Sequence, residues 1–263
     1  MDEAERLSNI IGGIYDAALD PALWPVALRK ASGFVNGSAA ALFSKDATSK
    51  TGVVYYDDGG VDPHYTQLYF EKYVKLDPST TGHFFAEVEQ PYATADIMPY
   101  EEFLDTRFYK EWAQPQGLVD FISAVLDKSV TSAAMFGVFR AKRHGVADEP
   151  ARRAMRLIVP HIRRAVLVSR TIELKSAAAD TFAAVLDGLS AGMFLVDAEG
   201  RIVHANASGH ALLAEGGFLR AVSGRLAPRD ADADQALKAA FSAAGVGDDA
   251  LGITAISVPL TSH

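Results

Sequence analysis

The sequence predicts an α+β chain: an antiparallel-sheet domain, a long connector helix, and a second, smaller α+β domain. Three features carry this reading. Helical and alternating apolar patterns follow one another over residues 1–147 in the order helix, helix, strand, strand, helix, loop, strand, strand. A single apolar stripe then runs through 148–189, at Ala154, Ile158, Ile162, Ala165, Val168 and Ile172, and on to Ala179, Phe182, Leu186 and Leu189. After it, a strand–turn–strand–helix pattern starts afresh over 190–263.

Taken in order, residues 4–19 place Leu7, Ile10, Ile11, Ile14 and Ala18 on one helix face. Asp20-Pro21 ends that helix and starts another, with the proline at a first helical position. Segments 39–43 and 52–56 read as strands around a polar turn at 46–50. Residues 62–78 form a helix that sets Tyr65, Tyr69 and Tyr73 four apart, and Asp77-Pro78 closes it. Residues 79–116 read as irregular, apart from a helix over 100–112 that carries Trp112. Segments 118–127 and 132–141 form a second pair of strands, so four strands build the sheet.

Asp148-Glu149-Pro150 has the acid, acid and proline of a helix start. Pro160 argues against one unbroken rod, since an interior proline removes a hydrogen bond. Arg152, Arg153, Arg156, Arg163, Arg164 and Arg170 fall opposite the apolar stripe and are expected in water. Beyond about Ile172 the stripe exceeds the needs of one small domain. Phe182 and Leu186 would then be exposed, which marks a partner surface and predicts a homodimer. In the last part, 192–213 gives a hairpin and a helix capped by Asn206, 224–245 a polar stretch and a helix, and 253–260 a final strand.

Composition narrows the function classes. The 263 residues are 49% hydrophobic, enough for a sizeable core, and carry a net charge of −8. That balance gives the chain no electrostatic footprint for nucleic acid. No uncharged apolar run reaches the roughly 18 residues of a membrane helix. The N-terminus is acidic before its apolar residues, the wrong polarity for a signal peptide, so a cytoplasmic location is expected. With no cysteine, disulfides, thiolate metal sites and cysteine nucleophiles are excluded. The seven histidines form no metal-ligating spacing, and no metal or cofactor is expected. No Gly-x-Ser-x-Gly elbow or Gly-rich phosphate loop is present, and the adjacent acids Glu101-Glu102 and Asp248-Asp249 cannot serve one site from a helix. Without an assembled nucleophile or acid–base pair, an enzyme is not expected.

The stretch FLVDAEGRIVHAN (194–206) resembles the opening of a PAS sensory domain: an apolar strand, Asp197-x-x-Gly200, a second strand, and Asn206. The stretches IYDAALDPALWPVAL (14–28) and FYKEWAQPQGLVDFISAVL (108–126) resemble the N-terminal sensory part, GAF/PAS-like, of bacterial LuxR-type transcription regulators. The resemblance implies a sensor that signals through a helix, and DNA contact only through a C-terminal helix-turn-helix, whose pattern this sequence lacks. YTQLYFEKYVKLDP (65–78) is also similar to the acyl-homoserine-lactone receptors of the LuxR type. There an aromatic and a tyrosine line the pocket, and an aspartate accepts from the ligand amide. Those roles fall on Tyr65, Tyr69 and Asp77. The first aromatic is tyrosine here in place of their usual tryptophan, so no lactone ligand is assigned.

The candidate ligand-binding residues are therefore Tyr65, Tyr69, Tyr73, Asp77 and Trp112. A phenol joins an apolar body to a polar tip, which suits an amphipathic small molecule of unknown identity. Two other readings stay open: a small enzyme using the same α+β cavity, and a ligand-free dimerisation module. A perturbed acid–base pair in the cavity favours the enzyme, and aromatic, hydrogen-bonding walls favour the sensor.

Overall fold

The computed structural model describes residues 2–46 and 48–244. It divides into two compact units, Met1–Glu173 and Leu174–His263.

The first unit opens with α1 (Glu3–Leu19), whose N-cap Asp2 exchanges hydrogen bonds with Glu5 in a capping box. Asp20 caps a short turn that leads into α2 (Trp24–Phe34). Five strands follow along the chain: β1 (Ala39–Asp46), β2 (Thr51–Asp57), β3 (Pro91–Ala93), β4 (Leu118–Lys128) and β5 (Ser132–Ala141). They form one antiparallel sheet in the order β2-β1-β5-β4-β3. Helices α3 (Pro63–Leu68), α4 (Ser79–Phe85), α5 (Thr94–Ile97) and α6 (Tyr100–Asp105) lie between β2 and β4 in the sequence. Then comes α7 (Glu149–Asp187).

Alternation along the strands decides what each face meets. Ala40 and Leu42 of β1, with Ile122, Ala124, Phe136 and Val138, pack against Ile14, Trp24, Leu28, Met155, Ile158 and Ile162 of α1, α2 and α7. Ala41 and Phe43 point to the other side, with Val125 and Met135. That side belongs to an aromatic layer around Tyr69, Phe103, Phe108 and Trp112.

Several expectations change. The sheet has five strands rather than four, because Pro91–Ala93 pairs with the outer edge of β4. A proline at the start of a short edge strand sits where no ladder bond is lost, and the alternation was too short to read. Residues 79–116 are far from irregular. The helix expected over 100–112 breaks at Thr106, which is extended, and its hydroxyl accepts from Tyr109 N. β1 runs on to Asp46, so residues expected in a turn are strand.

Helix α7 continues through Pro160. Met155, Ile158, Val159 and Ile162 around the proline are fully buried, and this packing holds the helix across the missing bond. Asp148 accepts from Ala151 N, as a capping acid should. The arginine face is not simply solvated. Arg152 pairs with Asp96 at 2.7 Å, Arg163 donates to Leu126 O at 2.7 Å and approaches Glu89 at 3.4 Å, and Arg170 approaches Asp127 at 3.5 Å. These arginines fasten α7 to the ends and loops of the sheet.

The second unit contains the hairpin β6 (Phe194–Val196) and β7 (Ile202–Ala205), α8 (Ala207–Glu215), a hairpin β8 (Leu219–Val222) and β9 (Arg225–Pro228), and α9 (Ala231–Ala244). The β8–β9 hairpin replaces the expected polar stretch. Its turn is Ser223-Gly224, both at positive φ, in strands of four residues each. Asn206 caps α8 through Gly209 N, as expected. It is fully buried, also accepts from Met193 N, and donates to Leu186 O and Ala191 O. Leu186, expected to be exposed, is buried. The strand expected at 253–260 lies outside the described residues.

Candidate ligand-binding site

Between the sheet and α3–α6 lies a cavity that opens to solvent. Its walls are mostly apolar: Phe43 and Val54 from the sheet, Phe70, Ile97, Met98, Phe103 and Phe108 from the helical layer. Phe121 and Phe139 meet at a tilt with 4.7 Å between ring centres, and Phe139 continues to Trp112 at 5.8 Å. Gly137 on β5 makes room for this floor. A Cβ there would stand 2.3 Å from the Phe121 ring and 3.0 Å from Phe43.

One wall is polar. Lys45 projects from β1, two residues beyond Phe43, and reaches Asp77 Oδ2 at 2.6 Å. Tyr69 Oη donates to the same oxygen at 2.6 Å. Asp77 Oδ1 accepts from Ser79 N at 2.8 Å, and Lys45 Nζ also donates to Ser79 Oγ at 3.0 Å. The pair is sealed from water, with side-chain exposures of 2% and 8%. Burial pushes Lys45 below its ordinary value, and Asp77 holds it partly back. Burial also pushes Asp77 up, but Lys45, Tyr69 and Ser79 together pull it below the usual carboxylate range. Tyr69 is raised well above a free phenol by burial and the Asp77 charge. Behind the pair, His83 is fully buried between Phe43 and Tyr92, and neither ring nitrogen makes a hydrogen bond. Burial and the Lys45 charge hold it well below an ordinary histidine, so it is neutral.

The sequence candidates separate. Tyr69, Asp77 and Trp112 line the cavity. Tyr65 gives its backbone carbonyl to Trp112 Nε1 at 2.8 Å, orienting the indole. Tyr73 points its hydroxyl at Glu111, 2.9 Å away and outside the cavity lining. The four-residue spacing presumed an α-helix, but Tyr69–Tyr73 form a π-helical turn, closed by Val74 N to Tyr69 O; the three tyrosines still pack in one aromatic cluster. Asp77 is engaged by three internal donors, so its role here is to hold Lys45 and Tyr69. Among the described residues no group of acids and histidines could hold a metal ion, and no helix is long and apolar enough to cross a membrane.

The second unit is placed by comparison with known families. Residues 180–243 match the PAS domain family. The match spans the end of α7, both hairpins, α8 and nearly all of α9. For the fold, the chain resembles the crystal structure of the VqsR LBD domain from Pseudomonas aeruginosa, with a TM-score of 0.51 and 12% identity. The likeness covers 65% of this chain and 98% of that one. A domain assigned to a two-component sensor histidine kinase protein of Sinorhizobium meliloti 1021 aligns with a TM-score of 0.37 and 17% identity, over 62% of this chain and 96% of that one. No curated protein matches the sequence. The chain thus combines an α+β sheet domain, a long helix and a PAS-like unit.

Lys45, Ser79, His83 and the phenylalanine floor were not among the sequence candidates. The available signal was alternation: Ala41, Phe43 and Lys45 share one face of β1. Reading the strand as ended at Phe43 hid it.

Proposed function

We propose that this chain is the small-molecule-sensing region of a cytoplasmic transcription regulator of the LuxR type, which signals through α7 and dimerisation. The observation that carries the reading is the aromatic cavity of the first unit, closed on one side by a single buried polar cluster. The PAS match supports a signalling context. The VqsR structure of like fold is described as an LBD domain, in keeping with a ligand-binding role here.

The buried Lys45–Asp77 pair is the one feature that favours an enzyme instead. Its wiring argues for binding. Asp77 is already saturated by Lys45, Tyr69 and Ser79, and a carboxylate held below its usual range is a poor base. Tyr69, raised well above a free phenol, does not ionise near neutrality. The Ser79 hydroxyl lies 3.0 Å from Lys45 Nζ, but Asp77, 2.6 Å away, engages that ammonium and leaves the lysine a donor to the hydroxyl rather than its base.

A thermal-shift screen of small apolar compounds tests the reading, comparing wild type with Ala113→Phe, which sets a ring into the cavity from the helical wall. Compounds should stabilise the wild type and not the variant. Identical responses in the two proteins would exclude the cavity as the sensing site.

A further inference from the structure

The polar wall of the cavity is not fully used by the protein. An ammonium has three N–H groups, and Lys45 commits two, to Asp77 and Ser79. The Ser79 hydroxyl accepts from Lys45 and helps to hold the Asp77 carboxylate. One ammonium N–H is therefore left at one end of the cavity, and Lys45 lies 5.6 Å from the Phe43 ring centre and 5.3 Å from that of Tyr69.

The charge around this donor selects what it binds. One ammonium, Lys45, and four acids, Asp57, Asp58, Asp77 and Asp120, line the cavity. Asp77 already neutralises the lysine. An anionic ligand would enter a low-dielectric site whose remaining charges are all negative. A cation finds no open carboxylate beside Lys45, since Asp77 is engaged by three donors. Asp120 is held by the backbone N–H groups of Thr94, Phe121 and Ala147, Asp57 by Gly59 N, and Asp58 by Gly60 N. Aromatic rings run without a gap from Phe43 through Phe121 and Phe139 to Trp112.

The geometry points to a neutral, ring-built ligand whose carbonyl oxygen accepts from the Lys45 ammonium, with its rings along the Phe43–Trp112 wall. This rests on the reading of the cavity as a small-molecule site. It gives Asp77 the part of holding Lys45 in place, and makes Lys45 the residue that reads the ligand's head group. Leaving a buried donor without an acceptor is costly, so a ring compound lacking the oxygen should bind about tenfold more weakly or worse.

Four probes of one skeleton test this by calorimetric titration of the full chain: 1-tetralone, tetralin, tetralin-1-carboxylate and 1-aminotetralin. In the wild type, 1-tetralone should bind about tenfold tighter than each of the other three. Lys45→Met/Asp77→Asn removes both charges and keeps one acceptor oxygen for Ser79 N, while the Tyr69 hydroxyl can accept from the new amide. In that variant 1-tetralone should fall to the affinity of tetralin, while tetralin keeps its own. Lys45→Met should do the same, and if neither variant folds, the ranking of the four probes on the wild type decides. Equal binding of 1-tetralone and tetralin to the wild type would overturn the head-group assignment and leave the cavity reading intact. So would unchanged 1-tetralone binding in the double variant. Preference for the carboxylate or the amine would overturn the neutral class. No binding by any probe would overturn both the inference and the reading beneath it.

Discussion

Lys45 and Asp77 show how one buried pair fixes a wall. Removing two ions from water is costly, and only good geometry with further hydrogen bonds repays it. Tyr69, Ser79 N and Ser79 Oγ supply those bonds. Lys45→Met, which strands the Asp77 charge, should therefore cost the first unit about 3–5 kcal/mol. Lys45→Met/Asp77→Asn should recover more than half of that. Both tryptophans, Trp24 and Trp112, lie in the first unit, so urea titration followed by indole fluorescence reads it alone. Equal losses in the two variants would contradict the account. His83 gives a pH dependence. Its folded-state value lies below the ordinary 6.5, so the unfolded chain binds the extra proton first as pH falls. Its stabilisation is whole above about pH 6.5 and declines as the pH is lowered through that value. The indole-monitored melting temperature should fall between about pH 7 and 5, and less steeply in His83→Leu. His144 and His161 are also lowered by burial, so some slope should remain. Parallel slopes would exclude His83 as the main source.

Among the elements, those with long, regular patterns were legible in the sequence. The strands β1, β2, β4 and β5 and the helices α1, α2 and α7 follow apolar periods of two or 3.6 over seven residues or more. What escaped was short or locally irregular. Strand β3 has three residues, the β8–β9 strands have four each, and Tyr69–Tyr73 form a π-helical turn where the spacing looked α-helical. Tyr69, Asp77 and Trp112 of the candidate site line the cavity, while Tyr73 turns its hydroxyl to Glu111. In the second unit, the cap at Asn206 was legible because an asparagine after a hairpin has a local reason to be there. Its wider role depends on Leu186 and Ala191, up to twenty residues away. Asn206→Ala should lose about 1 kcal/mol for the cap alone, and more for the buried backbone groups it leaves unpaired. A calorimetric scan should show early loss of heat uptake, with the indole-monitored midpoint unchanged. An unaltered scan would contradict this role.

For the molecule as a whole, the reading joins a sensing cavity to a helix that runs on into the PAS-like unit. On the part of α7 in the second unit, Leu174 and Val185 remain exposed, at 73% and 62%. A step of eleven keeps them on nearly one line of a helix, as in a pairing seam. This stripe takes the place of the expected Leu186 as the proposed dimer contact. Sedimentation at tens of micromolar should find the wild type dimeric and Leu174→Glu monomeric, whereas a monomeric wild type would rule the seam out. The central claim is that the first unit takes a small molecule into its aromatic cavity. Native mass spectrometry of the chain purified from a bacterial cytoplasm tests it most directly. The account predicts a retained compound on the wild type that is released on denaturation and absent from Ala113→Phe. A compound carried equally by the filled variant would contradict it.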